Sequence, residues 1–315
     1  MTGTLSGPAT VTVRAAAKIN LHLGVVAPRE DGFHPLTTVY QAVGLYDDLT
    51  ATPTGDGEPD WGLRLQVASY VDAGAIPVDS GNIVSHAATL LAKHHGVDLR
   101  AQVSIDKAIP VAGGLAGGSA DAAAALVALD RLWALDTSDD DLLAIAAELG
   151  SDVPFALIGG TALGTGRGEV VTSLADGGTW WWVLVPSVEG LSTPEVYRHY
   201  DRLFPDAPAL PRPADGLVKA VAAGDPLALA ALLHNDLQAP AIDLRPDLGV
   251  LLERGESEGA LRGIVSGSGP TCAFLCESGD HARDLAGALG RLGHDVVLVT
   301  NGAVAGAHLV ENLHG

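Results

Sequence analysis

The sequence predicts an α+β fold, in which strands and helices follow one another without the regular strand–helix–strand rhythm of a parallel sheet. Two observations lead to this prediction. Residues 9–26 alternate between apolar and polar side chains with the period of a strand, whereas residues 82–95 repeat apolar side chains with the period of a helix. The chain has 315 residues, a length that fits one large domain or two medium ones.

The elements of the first half follow from periodicity and turn residues. A turn at 29–32 separates the first strand from short strands at 33–43 and 48–52. Ahead of the helix at 82–95, Asp79 and Ser80 supply side chains suited to capping. The remaining elements of this half are a strand at 101–105, an alanine-rich helix that ends near Leu135, and a helix at 139–149.

The second half begins with a strand and continues mainly with helices. A proline-rich surface loop is predicted at 205–213, and a strand–loop–strand unit at 263–276. The other predicted elements are strands at 180–186 and 294–299 and helices at 214–222, 225–235, 247–256 and 281–291. We place the domain boundary after the glycine-rich segment 159–168, which divides the chain into 1–168 and 169–315.

Composition and charge exclude several classes of function. The formal net charge of -20 argues against a nucleic-acid partner, because phosphate backbones bind basic surfaces. Residues 1–7 lack the basic start of a signal peptide, and no apolar run approaches the ~18 residues of a membrane span. Cys272 and Cys276 lie in an apolar run and are predicted to be buried thiols. We therefore expect a cytoplasmic protein, with its oligomeric state, monomer or homodimer, left open.

The glycine-rich loop from Gly113 to Gly118 lies between a predicted strand and a predicted helix, and Ser119 follows it. Glycines let backbone N–H groups turn toward one point, and the helix adds the positive end of its dipole, so the segment suits a phosphate group. A flexible loop with Ser119 as an ordinary N-cap stays an equal alternative. No Lys-Ser/Thr pair follows at the P-loop spacing.

Three further segments carry polar residues that each allow a structural and a functional interpretation. Lys18 and Asn20 share the polar face of the first strand, where a lysine is usually solvent-facing. Asp152 follows a helix and precedes a proline, the position of an N-cap, and 266–270 is a glycine loop or a tight turn. If Lys18 lies near Asp152, the lysine would keep the carboxylate ionised, and Asp152 would accept a hydroxyl proton during phosphoryl transfer.

The order of these segments resembles the galactokinase, homoserine, mevalonate and phosphomevalonate (GHMP) kinase superfamily. The shared motifs are Lys-Ile-Asn, Pro-x3-Gly-Leu-x-Gly-Gly-Ser, Asp-Val-Pro and Gly-Ser-Gly-Pro, and the pattern spans residues 14–276. Segments at 17–23, 31–38, 151–155 and 192–197 are similar to its diphosphocytidyl-methylerythritol kinase branch. The resemblance implies a ribosomal-protein-S5-like N-terminal domain, an α/β C-terminal domain, and ATP between them.

The resemblance also implies a reaction and a set of residue roles. The reaction is phosphorylation of the 2-hydroxyl of 4-diphosphocytidyl-2-C-methyl-D-erythritol by ATP and Mg²⁺, in the non-mevalonate isoprenoid pathway. The implied catalytic pair is Lys18 and Asp152. The ATP phosphate loop comprises Pro110, Gly113, Gly114, Leu115, Ala116, Gly117, Gly118 and Ser119, with Ser119 also a candidate Mg²⁺ ligand. By the same resemblance, Asn82 is on the nucleotide side, and Gly267, Ser268 and Gly269 lie near the phosphates. The implied substrate contacts are Asn20, Phe33, His34, Thr193 and Tyr197, with the rings of Phe33 and Tyr197 enclosing the cytosine and His34 directed toward its edge.

The sequence departs from the family pattern at several positions. Phe33 stands where many relatives carry tyrosine, so stacking is kept and a phenol hydrogen bond is lost. Ala112 and Ala116 replace glycines of the loop, and Ala120 replaces a serine that could contact phosphate or Mg²⁺. Arg29, Lys107 and Arg167 are further candidate cations without an assigned role, and for Lys107 and Arg167 we expect a surface position.

Two other functions remain open at this stage. A homoserine or mevalonate-type kinase would require an arginine clamp for a carboxylate, and only Arg198 lies in the predicted substrate segments. A non-catalytic binding module of the same fold should have lost the lysine–aspartate pair, whereas this chain keeps both Lys18 and Asp152.

Overall fold

The computed structural model describes residues 10–30, 32–111, 113–187 and 189–310. The predicted α+β class is confirmed, with one mixed sheet and helices packed on it. The strands of the described residues are β1 Val11–Val25, β2 Leu36–Thr52, β3 Trp61–Val67, β4 Ala101–Lys107, β5 Thr161–Thr165, β6 Val170–Ser173, β7 Trp180–Val185, β8 His234–Asn235, β9 Arg262–Val265, β10 Cys272–Cys276, β11 Leu298–Gly302 and β12 His308–Leu309. The helices are α1 Ile83–His95, α2 Gly117–Trp133, α3 Asp139–Leu149, α4 Val153–Ile158, α5 Thr193–Leu203, α6 Asp215–Ala223, α7 Pro226–Leu232, α8 Gln238–Leu244, α9 Pro246–Ser257 and α10 Gly279–Arg291.

The long strands β1 and β2 form the centre of the sheet. They pair antiparallel over nearly their whole length, and Asn20 on β1 lies opposite Tyr40 on β2. From Ala15 onward every residue of β1 is buried, on both faces. The polar residues of β1 beyond Ala15, which are Lys18, Asn20 and His22, are therefore in the interior of the protein.

The sheet continues from this centre in both directions. Its main order is β12-β1-β2-β11-β7-β10-β9, while β4 pairs with β2 and β3, and β5 pairs with β2 and β6. The larger core packs α1 and α2 against β1, β2 and β4. The alanines of α2 are fully buried, and their small side chains let this helix lie close against the sheet. A second core packs α9 and α10 against β7 and β10.

Most predicted elements are present with small shifts of their ends, and two predictions are wrong. The strands predicted at 33–43 and 48–52 are one strand, β2, which passes 44–47 with an irregular register opposite β1. The glycine-rich segment 159–168 contains the strand β5, where no element was predicted. Lys107 does not lie on the surface: it ends β4 on the buried face and is 4% exposed. The helices α4, α5 and α8 were not predicted.

Two further predictions concern the cysteines and membrane-spanning segments. Cys272 and Cys276 are buried as predicted, and burial raises the pKa of each thiol to about 12. In the part of the chain that the structure describes, no helix has the length and apolarity needed to cross a bilayer. Residues 1–7, which lack the basic start of a signal peptide, Asp31 of the predicted turn and Ala112 of the glycine loop lie outside the described residues. The boundary after residue 168 stays a prediction.

Candidate active site

A cavity of about 1090 Å³ opens beside β1 and receives residues from both halves of the chain. Its wall combines the polar face of β1, the glycine loop before α2, the start of α5 and the loop between β9 and β10. The sequence-predicted site residues in its lining are Lys18, Asn20, Phe33, His34, Asn82, Pro110, Gly113, Gly114, Ala116, Gly117, Gly118, Ser119, Asp152, Thr193, Tyr197, Gly267 and Ser268. Segments more than 200 residues apart in sequence thus meet at one cavity.

Lys18 lies on the wall of the cavity rather than in solvent. The residue is 6% exposed, and its Nζ donates a hydrogen bond of 2.7 Å to Asn20 Oδ1. The Asn20 amide in turn donates to Thr38 Oγ1 at 2.8 Å. Lys18 Nζ lies 3.5 Å from Asp152 Oδ2, so the condition for a shared role of these two residues is met. The strand and its hydrogen bonds fix the ammonium group at the carboxylate.

Asp152 has a side chain that is available for chemistry. It occupies the N-cap position of the short helix α4, yet its side chain makes no capping hydrogen bond among the described residues. Its Oδ1 instead accepts a hydrogen bond of 3.0 Å from the Tyr40 hydroxyl. The carboxylate is about 30% exposed and faces the cavity, so a ligand can reach it. The capping role is therefore not the one that the geometry supports.

The glycine loop ends in a helix whose N-terminus faces the cavity. Gly117 is the first residue of α2, and Ala116 before it adopts a left-handed conformation with φ of 56°. Among the described residues no side chain caps this helix, so its first N–H groups are open to a ligand. Ser119 is the third residue of α2 and not its N-cap, so the alternative in which it merely caps the helix is wrong.

The loop at 267–269 packs directly against the first glycine loop. Ser266 Oγ donates to the Gly114 carbonyl at 3.0 Å, and Thr271 N donates to the Gly113 carbonyl at 3.2 Å. A Cβ on Gly114 would lie 2.2 Å from the Ser266 carbonyl, and one on Gly267 would lie 3.1 Å from Asn20 Oδ1. Close approach therefore requires glycine at position 114, and the two loops enclose the Lys18 side of the cavity.

Aromatic side chains line the end of the cavity nearest α5. The His34 and Tyr197 rings lie 4.9 Å apart, and His34 Nδ1 donates to the Val26 carbonyl at 2.7 Å. This bond leaves His34 Nε2 directed toward Asp201, 3.6 Å away. Phe33 is 50% exposed at the cavity rim. The structure thus brings the three predicted cytosine contacts to one end of the cavity.

Thr193 and Asn82 are already engaged in bonds within the protein. Thr193 begins α5, and its hydroxyl lies 2.7 Å from that of Ser268. This bond ties the start of α5 to the loop at 267–269. Asn82 caps α1 by accepting from Val84 N at 2.8 Å, and its amide donates to the Pro77 carbonyl at 2.7 Å. Asn82 therefore shapes the cavity wall, whatever it contacts in a ligand.

A buried charge cluster beneath the glycine loop was missed in the sequence. Lys107 Nζ donates to Asp47 on β2 and to Asp121 on α2, the latter at 2.8 Å. Asp47 also accepts from the backbone N–H groups of Ala108 and Ile109, at 2.6 and 2.8 Å. The cluster thereby joins the strand end before the loop to the helix after it. The alternation of β4, with Ala101, Val103 and Ile105 buried, continues to position 107 and would have placed this lysine inside.

Burial dominates the electrostatics of this cluster. It raises the pKa of Asp121 to about 8, against the lowering effect of Lys107 and with a further raising effect of Asp47. The pKa of Lys107 is raised, because the attraction of Asp121 and Asp47 outweighs its own burial. A protonated Asp121 makes the cluster electrically neutral, with one positive and one negative charge.

Arg167 and Tyr40 are two other cavity residues that were not assigned a role from sequence. Arg167 lies with its guanidinium 4.9 Å from the centre of the Phe33 ring, so its expected position on the surface is corrected to the cavity rim. Tyr40 lies on β2 opposite Asn20, and the alternation of β2 places it with Thr38 on one face. That alternation was the available sequence signal for Tyr40.

The chain matches two family models whose positions agree with this geometry. Residues 82–160 match the GHMP kinases N terminal domain, and residues 217–295 match the GHMP kinases C terminal domain. The first match contains the glycine loop and Asp152, and the second contains the loop at 267–269.

Comparisons with single proteins extend over nearly the whole chain. A 4-diphosphocytidyl-2-C-methyl-D-erythritol kinase from Nocardioides sp. is 70% identical over 298 residues, which are 95% of this chain and 99% of that protein. The crystal structure of a 4-(cytidine 5'-diphospho)-2C-methyl-D-erythritol kinase is similar with a TM-score of 0.73 and 32% identity, covering 93% of this chain and 100% of the other. Homoserine kinase from Cytophaga hutchinsonii shares the fold, with a TM-score of 0.74, 19% identity and coverage of 98% and 99%. The chain therefore belongs to the 4-diphosphocytidyl-2-C-methyl-D-erythritol kinase family of the GHMP kinases.

Proposed function

We propose that the chain transfers the γ-phosphoryl group of ATP to the 2-hydroxyl of 4-diphosphocytidyl-2-C-methyl-D-erythritol, as its relatives' name implies. The observation that carries the proposal is the pair of Lys18 Nζ and Asp152 Oδ2, 3.5 Å apart at the wall of a cavity between two glycine loops. A carboxylate for a hydroxyl proton and a cation for developing phosphoryl charge are the groups that this reaction needs. This kinase would serve the non-mevalonate route to isoprenoid precursors.

Transfer proceeds in line between the acceptor oxygen and the leaving oxygen of ADP. The acceptor oxygen forms a bond to the γ-phosphorus while the bond from that phosphorus to the β–γ bridging oxygen breaks. The hydroxyl proton passes to the Asp152 carboxylate, and ADP leaves with the bridging electron pair. Lys18 stabilises the negative charge on the transferred group, and its bond to Asn20 holds it in place.

The glycine loop and the start of α2 suit the phosphates of ATP. The uncapped N-terminus of α2 presents backbone N–H groups to the cavity, with the positive end of the helix dipole behind them. Such donors explain how a chain with a net charge of -20 can hold a triphosphate without a lysine-rich surface. The loop at 267–269 closes the same region from the opposite side.

The residues of this region also fit a Mg²⁺ ion that arrives with the nucleotide. No cluster of three metal-binding side chains occurs within the described ranges, whereas the Ser119 hydroxyl lines the cavity next to the glycine loop. Mg²⁺ is typically bound by phosphate oxygens and water with one or two protein ligands. Ser119 would hold the ion, which when bound would neutralise phosphate charge.

The aromatic end of the cavity suits the cytosine ring of the acceptor. Phe33 and Tyr197 would stack on the ring, and His34 Nε2 would contact its polar edge, since Nδ1 is engaged with Val26. Two arginines, Arg167 and Arg198, also line the cavity and would pair with the acceptor diphosphate. Because these arginines would also suit a carboxylate acceptor, the acceptor must be identified by experiment.

The test is ADP release by the purified protein with ATP and Mg²⁺ in four parallel reactions. The acceptors are 4-diphosphocytidyl-2-C-methyl-D-erythritol, homoserine, mevalonate and none. We expect turnover with the cytidyl compound only. Turnover with homoserine or mevalonate alone would refute the proposed acceptor while keeping the kinase, and no turnover with any of the three would refute the proposed function.

A further inference from the structure

Tyr40, a residue of the cavity wall, holds the carboxylate of Asp152 by a hydrogen bond. Its hydroxyl donates to Asp152 Oδ1 at 3.0 Å. The same ring lies under Lys18, whose Nζ is 5.8 Å from the ring centre. One side chain therefore contacts both members of the proposed catalytic pair, although Tyr40 belongs to none of the motifs that mark the family in this sequence.

The position of Tyr40 is fixed on every side. The residue is 2% exposed, and its ring stacks on Phe155 of α4 with centres 4.8 Å apart. A Cβ on Gly164 would lie 2.6 Å from the ring, and one on Gly168 would lie 2.3 Å from the hydroxyl. The hydroxyl thus has little room to turn away, and a rigid donor orients its acceptor better than a mobile one does.

The protonation state of the Tyr40 hydroxyl suits a group that always donates a hydrogen bond. Burial raises the pKa of Tyr40 well above its ordinary value of 10, and the neighbouring Asp152 and Glu169 raise it further. The phenol therefore stays protonated at the pH values at which enzymes work. Among the described residues, Lys18 at 3.5 Å, the Tyr40 hydroxyl and the more distant Tyr197 interact with Asp152.

We propose that Tyr40 is a positioning residue for phosphoryl transfer. Its hydrogen bond to Asp152 Oδ1 fixes the carboxylate so that Oδ2, beside Lys18, is the oxygen that accepts the proton of the acceptor hydroxyl. The proposal rests on the proposed function, because it assigns Tyr40 a task in that reaction. It predicts an effect on turnover without an effect on ligand binding, since Tyr40 acts through Asp152.

The first variant is Tyr40→Phe, which removes the hydroxyl and keeps the ring between Phe155 and Lys18. The acceptor of the Tyr40 hydrogen bond is a charged carboxylate. We therefore expect loss of this bond to lower kcat by between about 10-fold and about 100-fold. The KM values for ATP and for the cytidyl acceptor stay within about twofold of wild type, because binding contacts are unchanged. Tyr46→Phe is the matched control, as Tyr46 lies on the same strand outside the cavity and contacts Arg14.

A second variant separates positioning from general packing. Phe155→Leu reduces the stack beneath Tyr40 and is expected to lower the melting temperature, yet it leaves the Tyr40 hydroxyl in place. If Tyr40 positions Asp152 through its hydroxyl, Phe155→Leu keeps kcat within about threefold of wild type while Tyr40→Phe does not. Comparable losses of kcat in both variants would assign the effect to packing and overturn the proposal.

The outcomes also separate this proposal from the proposed function. Wild-type turnover with an unchanged or higher kcat in Tyr40→Phe would overturn the role of Tyr40 and leave the kinase assignment intact. An increase in KM that accounts for the whole loss of activity would also overturn it, because Tyr40 would then act in binding. Absence of wild-type turnover with any acceptor would refute the proposed function itself.

Discussion

The buried cluster of Lys107, Asp47 and Asp121 predicts how the stability of this protein depends on pH. In this protein Lys107 Nζ lies 2.8 Å from Asp121 Oδ2. The substitution Asp121→Asn keeps the shape of the side chain and leaves one oxygen to accept from Lys107. Burial raises the pKa of Asp121 to about 8, whereas in the unfolded chain it returns to its ordinary value of 3.8. Between these two values the folded protein binds one proton more than the unfolded chain does.

The sign and size of the effect follow from this difference. A state that binds more protons is stabilised at low pH, so the contribution of Asp121 to the free energy of unfolding decreases as pH rises toward 8. Each pH unit changes the free energy by the equivalent of one proton, which amounts to roughly 2–3 kcal/mol between about pH 5.5 and about pH 7.5. Lys107 adds no slope, because its raised pKa keeps it protonated in the folded state across this range.

The assay is urea unfolding followed by circular dichroism, on protein freed of nucleotide and divalent ions. The quantity compared is the free energy of unfolding of wild type minus that of Asp121→Asn, at about pH 5.5 and about pH 7.5. We expect this difference to fall by roughly 2–3 kcal/mol over the interval. Asp98→Asn removes an exposed carboxylate and controls for surface charge. A difference that is independent of pH would show that Asp121 is ionised in the folded protein and would refute the reasoning.

The remaining predictions concern the site directly. Lys18→Ala and Asp152→Ala should each lower kcat by at least about 10²-fold while ATP affinity, measured by calorimetry, changes far less, and near-normal turnover would refute the role of that residue. Tyr197→Ala should raise KM for the cytidyl acceptor about tenfold or more through loss of stacking, and an unchanged KM would argue against the aromatic contact. Gly114→Ala places a Cβ 2.2 Å from the Ser266 carbonyl at a φ of 74°, so we expect a loss of about 2 kcal/mol or more in unfolding free energy, and an unchanged value would contradict the close packing of the two loops.

The elements that were predicted correctly are those whose side chains follow a single rule. The period of two in β1 places Val11–Val25 within two residues of the predicted ends, and the helix predicted at 139–149 agrees with α3. The helices α4 and α5 begin with Pro at their first turn. α4 has six residues, too few to show an apolar period, so its formation depends on packing against distant parts of the chain. α5 does repeat apolar side chains with helical spacing, at Val196, Tyr200 and Leu203, and this signal was overlooked.

The site residues also divide into those that sequence motifs identified and those whose contacts depend on the fold. The glycine loops, Lys18 and Asp152 each allowed an ordinary structural interpretation, and the order of their motifs along the chain pointed to a kinase site. The structure brings these residues together. Lys107 was misplaced because the predicted strand ended at Ile105, two residues early, so its position on the buried face was overlooked. The hydrogen bond from Tyr40 to Asp152 joins residues 112 positions apart, and it could be found only once the fold was known.

The central claim is that this site moves a phosphoryl group from ATP to an acceptor hydroxyl through Lys18 and Asp152. Phosphorus-31 NMR of the reaction of ATP with 4-diphosphocytidyl-2-C-methyl-D-erythritol tests it most directly, with wild type and Asp152→Ala compared at equal protein concentration. The account predicts that wild type converts ATP to ADP with one new phosphomonoester signal per ATP consumed, and that the variant forms this signal far more slowly. Release of inorganic phosphate in place of the phosphomonoester, or equal rates in the two proteins, would contradict it.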